Sequence, residues 1–263
     1  MTQTEAFSPD APAPVLQARG AGFGYAPGKA VFEDISLSIA PREIVCLLGG
    51  SGCGKSSLLR VLGGLESPDG GAWSRGELQF LGQPLTAPHP RAGFVFQQPS
   101  LLPWLDARRN VGFGLDFERQ PKLEADARRQ RVEQALQAVG LGGSGALYPS
   151  QLSGGMAQRV EPQLLLADEP FSALDAITRA EMQELMVDVV HRWHTAALLV
   201  THDIDEAILV GDRILLMGGR PGHIVREWRV DIARPREDQA AAVTALRLDI
   251  LSALHGVRHA AQA

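Results

Sequence analysis

Gly49-Gly50-Ser51-Gly52-Cys53-Gly54-Lys55-Ser56 has the residue types and spacing of a loop that grips phosphate. Its glycines let backbone amides turn inward with no Cβ in the way. Lys55 is spaced to reach the outer phosphates of a nucleotide, and the hydroxyl of Ser56, followed by Ser57, suits a magnesium ion. Asp168 and Glu169 end the apolar run Leu164-Leu165-Leu166-Ala167. A carboxylate there is costly unless a cation or hydrogen bonds stabilise it. A magnesium site accounts for Asp168, and Glu169 is a candidate to orient or deprotonate an attacking water. His202 follows another apolar run, Ala197-Leu198-Leu199-Val200; alone, it is equally well explained as a core histidine.

These groups need elements that hold them. Ile44-Val45-Cys46-Leu47-Leu48 reads as a central strand, and residues 56–62 open a helix that packs against it. Strand pieces are expected at 31–32, 35–39, 72–73, 77–80 and 92–96. From 97 to about 159 the pattern becomes helical, with Val132, Leu136 and Val139 on one face beneath many charges. A helix over 175–194 carries Met182, Leu185, Met186, Val189 and Trp193 on one side. Ile204, Ala207 and Ile208 stripe a short helix, 214–217 and 223–228 form a hairpin, and a last helix covers 240–254. Residues 1–14, rich in proline, read as a disordered leader, and 256–263 as a flexible tail.

The 263 residues suffice for one large domain. A hydrophobic content of 45% and a charged content of 21% are those of a globular protein, and a net charge of -5 disfavours a nucleic-acid partner. Cys46 and Cys53 stand in an apolar strand and a glycine loop, which points to two free thiols. No secretory signal is expected, nor a run of 18 or more apolar residues that would span a membrane. Any membrane crossing would fall to another subunit.

Taken in order, these features resemble the ATP-binding subunit of ABC transporters. Leu152-Ser153-Gly154-Gly155-Met156-Ala157-Gln158-Arg159 is similar to that family's signature motif. The resemblance covers about residues 15–255 and implies an α/β P-loop NTPase with a mixed core sheet, an antiparallel β subdomain and an α-helical subdomain inserted at 97–159. It implies that ATP and Mg²⁺ bind at residues 49–57, with Mg²⁺ held by Ser56, Gln97 and Asp168. Ser153, Gly154 and Gly155 would touch the γ-phosphate bound by a second copy of the chain. Ser172-Ala173-Leu174-Asp175 matches the dimer-contacting loop, His202 the histidine that contacts the γ-phosphate, and Tyr25, 24 residues before Gly49, an aromatic that stacks on adenine.

A narrower similarity, to nitrate, sulfonate and taurine importers, rests on residues 96–105, 220–225 and 230–236. It implies permease partners docking beside 97–105, an extracytoplasmic solute-binding protein, and a place on the cytoplasmic face of the membrane. Trp104 and Leu105 fit either permease contacts or local core. DNA-repair and translation ATPases share the nucleotide fold, but their long coiled insertions and zinc hooks are not visible in this sequence.

The chain departs from its relatives in one interval. Leu152 to Asp168 spans 16 positions. The family's usual interval is about 24, which leaves this chain about eight residues, or about 12 Å of helical rise, short between Val160 and Glu161. Pro162 opposes a simple helical continuation. An artefact of the coding sequence, a decaying gene and a compensated connection all fit, so the chain is expected to be an importer ATPase or a nucleotide-binding variant that is catalytically impaired or prone to misfold.

Overall fold

The computed structural model describes residues 13–66, 73–96, 101–102, 104–113, 115, 122–138, 141–147, 163–192 and 194–260. Two sheets enclose a helix. In the first, β1 (Leu16–Gly24), β2 (Phe32–Ile39), β4 (Trp73–Phe80) and β5 (Gln83–Pro84) pair antiparallel in the order β2-β1-β4-β5.

The second sheet has the order β10-β9-β3-β8-β7-β6, formed by β3 (Ile44–Gly49), β6 (Ala92–Val95), β7 (Leu164–Asp168), β8 (Ala196–Val200), β9 (Arg213–Gly218) and β10 (His223–Arg229). All its neighbours are parallel except the β9–β10 hairpin. The antiparallel subdomain and mixed core sheet expected above are both present.

Side-chain alternation assigns the two faces of this sheet. Val45 and Leu47 of β3, with Leu198 and Val200 of β8, face α1 (Lys55–Leu62) and the four-stranded sheet. Ile44, Cys46 and Leu48, with Ala197 and Leu199, face α4 (Ala176–Arg192), α5 (Ile204–Val210) and α6 (Ala240–Ala260). Both faces of the central strands are covered, hence their unbroken apolar runs. Within the inserted region, α2 (Ala107–Phe113) and α3 (Ala125–Ala138) pack their own cluster around Val111, Val132 and Leu136.

Several expectations are corrected. β1 passes unnoticed in the sequence because its register shifts twice, between Ala18 and Phe23, which breaks the period of two. Residues 73–80 form one strand rather than two pieces. Gly76, at φ 86°, lies opposite the extra residue of β1, where an added Cβ would stand 2.4 Å from the Gly20 carbonyl oxygen. The final helix continues to Ala260, past residue 254 and into the expected tail, with Val257 packed on the core beside Gly218.

Residues 240–257 of that helix also reach a mean hydropathy of 1.3, long and apolar enough to cross a membrane by length and composition. Alanine raises that mean without forming the apolar run sought in the sequence. Two charged side chains within the window bind the domain: Arg247 donates to Asp205 at 2.6 Å, and Asp249 accepts from Arg226 and Trp228, each at 2.7 Å. Ile250 is fully buried. These anchors dock α6 on the sheet's helical layer.

Candidate functional site

The phosphate loop joins β3 to α1. Gly54 caps α1 at φ 100°, a left-handed conformation, and a Cβ there would stand 2.9 Å from Val31 Cγ1. At Gly49 a Cβ would lie 2.4 Å from the Met217 carbonyl oxygen. Strand β9 therefore presses on the loop, and only glycine fits these two places. Lys55 Nζ donates to the Gly49 and Gly50 carbonyls at 2.9 and 3.0 Å, which holds the ammonium over the loop. Together with the amides at the start of α1, it forms a cationic cradle suited to phosphate. Cys53, within the loop, is buried, and burial pushes its thiol up.

Ser56 Oγ donates to Asp168 Oδ1 at 3.1 Å, across 112 residues of sequence. A hydroxyl and a carboxylate together offer the hard oxygens that Mg²⁺ prefers, with waters and phosphate supplying the rest. Among the described residues no group of three or more His, Cys, Asp and Glu side chains converges on a metal site.

Glu169 follows directly, at φ 47°, with its amide bonded to the Val200 carbonyl at 2.9 Å. A left-handed glutamate costs energy and persists only where neighbours hold it. The turn sets its carboxylate 3.3 Å from His202 Nδ1. His202 lies beyond β8 and is 66% exposed, so the core-histidine explanation is excluded. Ser172 Oγ donates to the Glu169 carbonyl at 2.8 Å, tying the 172–175 loop to the same turn. Asp175 caps α4 by accepting from the Ile177 and Thr178 amides and the Thr178 hydroxyl, bonds that hold its carboxyl below the usual carboxylate range.

Tyr25 stands beside the loop. Its hydroxyl is 3.1 Å from Ser57 Oγ, its ring meets Phe23 edge to face, and the residue is 54% exposed. An aromatic surface thus stands next to the start of α1. Gln97 and Ser153-Gly154-Gly155 lie outside the described residues, as does the shortened interval itself. The register of β7 is set from Gln163, which bonds to Arg91 and Ala196, so Asp168 arrives at Ser56 despite the short connection.

A pocket of about 60 Å³ adjoins Glu169 and His202, lined also by Ser172, Arg179, Thr201, Asp203 and Glu206. Sequence reasoning passed over the last four. One signal was available: Asp203 precedes the apolar stripe of α5 and Glu206 follows three residues later, the pattern of a helix start. Asp203 indeed accepts from the Asp205 and Glu206 amides.

A family model described as ABC transporter matches residues 32–172, more than half of the chain. The chain belongs to the ABC transporter family. It is 48% identical over 233 residues to an aliphatic sulfonates import ATP-binding protein of Pseudomonas aeruginosa, covering 84% of this chain and 90% of that one. A namesake from Bacillus subtilis is 40% identical over 230 residues, covering 84% and 86%.

Among solved structures, the chain resembles the ATP-binding cassette MJ0796 in a dimeric post-hydrolysis state bound to ADP and Pi. The TM-score is 0.68 at 29% identity, over 82% of this chain and 98% of that one. It also resembles cbiO1 of Clostridium perfringens, part of the ABC transporter complex cbiONQ, with a TM-score of 0.72 at 25% identity, over 90% and 95%. This chain is accordingly an ATP-binding cassette ATPase that uses Mg²⁺, built on the P-loop fold with an inserted helical subdomain.

Proposed function

We propose that the chain powers an importer of small anionic solutes, aliphatic sulfonates first among them, from the cytoplasmic face of the membrane. The observation that carries the catalytic part is the meeting of Ser56 with Asp168 and of Glu169 with His202 at the ends of adjacent parallel strands. In this reading Lys55 and the loop amides bind the outer phosphates, and Tyr25 stacks on the adenine. Ser56, Gln97 and Asp168 hold Mg²⁺, which neutralises phosphate charge. Glu169 orients the attacking water, and His202 contacts the terminal phosphate.

A second copy supplies Ser153, Gly154 and Gly155 to each γ-phosphate, and the 172–175 loops meet across that interface. Permease subunits and an extracytoplasmic binding protein complete the importer. The sulfonate assignment is supported by the named relatives, and the dimer by the dimeric MJ0796 cassette.

The 16-position interval favours a second reading, in which nucleotide binds but hydrolysis is impaired. One experiment separates the two. Purified chain is mixed with MgATP, and phosphate release is compared with that of Glu169→Gln (E169Q). The hydrolytic reading predicts a loss of at least about a hundredfold in E169Q with ATP still bound. Wild-type release no faster than E169Q, with ATP bound by both, supports the impaired reading instead.

A further inference from the structure

Arg179 and Glu206 face the 60 Å³ pocket from two different helices, and neither is accounted for by nucleotide chemistry. Arg179 lies in the first turn of α4, where a cation meets the positive end of the helix dipole. Its Nη2 donates to the Leu174 carbonyl at 3.0 Å, within the 172–175 loop. Its Nε is buried and has no hydrogen-bond partner among the described residues. A buried unpaired donor on a charged group is costly and calls for an explanation.

Glu206, in the first turn of α5, is only 6% exposed. Burial pushes its carboxyl up, while a Thr201 hydrogen bond and the charges of Arg179 and His202 oppose that shift. Thr201 immediately precedes His202 and accepts from the Asp203 amide at 3.0 Å. Arg179 is thus tied to the loop beside the proposed dimer contact, and Glu206 to the segment that carries the histidine. The pocket between them is roomy enough for a bridging water or a shift of one side chain.

We propose that Arg179 and Glu206 are a positioning pair that couples the 172–175 loop to the 201–203 segment. A contact made at His202 is felt in the pocket that Glu206 and Arg179 line together, and Arg179 holds the Leu174 carbonyl, so the terminal phosphate and the partner-facing loop are sensed together. This rests on the reading of His202 as a γ-phosphate contact. The proposed binding mode assigns neither residue to ATP, so the pair acts on turnover and cooperativity rather than on nucleotide affinity.

The test compares Arg179→Ala (R179A), Glu206→Gln (E206Q), the R179A/E206Q double variant and His202→Ala (H202A), with thermal melts to establish folding. For each, kcat, KM for ATP and the Hill coefficient are measured, and Arg179→Lys serves as a conservative rescue. We expect R179A and E206Q each to lower kcat about tenfold with KM changed less than about twofold, and to bring the Hill coefficient toward one. The double variant loses no more than either single one, as residues acting through one shared pocket do. R179K recovers part of the lost rate.

Losses that multiply in the double variant, or a raised KM at constant kcat, overturn the pair. So do unchanged singles beside an inactive H202A. An H202A variant with wild-type kcat instead removes the reading of His202 on which the pair rests. Should R179A fail to fold, E206Q, which keeps the side chain's shape, carries the same kinetic expectations.

Discussion

Gly54 shows how narrowly the phosphate loop is specified. Its left-handed φ of 100° and the nearby Val31 methyl leave space for a hydrogen only. Gly54→Ala should destabilise the fold by about 1–2 kcal/mol from the backbone conformation alone, measured by urea denaturation. ATP affinity should fall with it, because the amides at the start of α1 shift. An unchanged affinity would mean that the loop adapts. Lys55, Ser56, Asp168 and Glu169 were legible in the sequence because each sits at the end of an apolar run or in a glycine-rich turn. Arg179 was not, and Glu206 was legible only as part of a helix start, since lining a pocket shared between two helices leaves no mark on local spacing.

At the level of elements, the segment after β10 braces the helix that follows His202. Arg236 is 4% exposed and donates to the Ile208, Leu209, Gly211, Val230 and Ile232 carbonyls, closing the end of α5. Arg234 adds bonds to Leu209 and Val210. Removing the guanidinium leaves several buried carbonyls unpaired, at about 1–3 kcal/mol each. Arg236→Ala should therefore lower stability by about 3 kcal/mol or more in a denaturant melt, and Arg236→Lys should recover little, because an ammonium cannot span the same carbonyls. A loss below about 1 kcal/mol would show the brace to be dispensable. The β9–β10 hairpin and the β3–α1 unit could be read from apolar runs bounded by glycine. The bulged β1 could not, nor could this clamp, whose partners at Ile208, Leu209 and Gly211 lie more than twenty residues away.

For the molecule as a whole, the short interval before β7 sets the central tension. The sheet is intact, and Asp168 meets Ser56, so the strand side of the site tolerates the missing residues. On the proposed reading their effect falls on the signature, residues that would reach a second copy. Inserting Ala-Leu-Ala-Arg-Ala-Leu-Val-Arg between Val160 and Glu161 supplies eight residues, enough for about 12 Å of helical rise. It should raise kcat for ATP hydrolysis while leaving KM within about twofold, since the loop that binds nucleotide is untouched. An unchanged kcat would mean that this chain already closes its site by another route.

Shared construction of each ATP site is tested most directly by mixing two inactive chains. Lys55→Ala removes the phosphate-binding cation from one chain, and Ser153→Arg blocks the signature of the other. Each alone should release phosphate at background rate. An equimolar mixture should recover activity, because a mixed dimer pairs one intact loop with one intact signature. A mixture no faster than its separate components, or a Ser153→Arg chain as active as the wild type, would contradict the account.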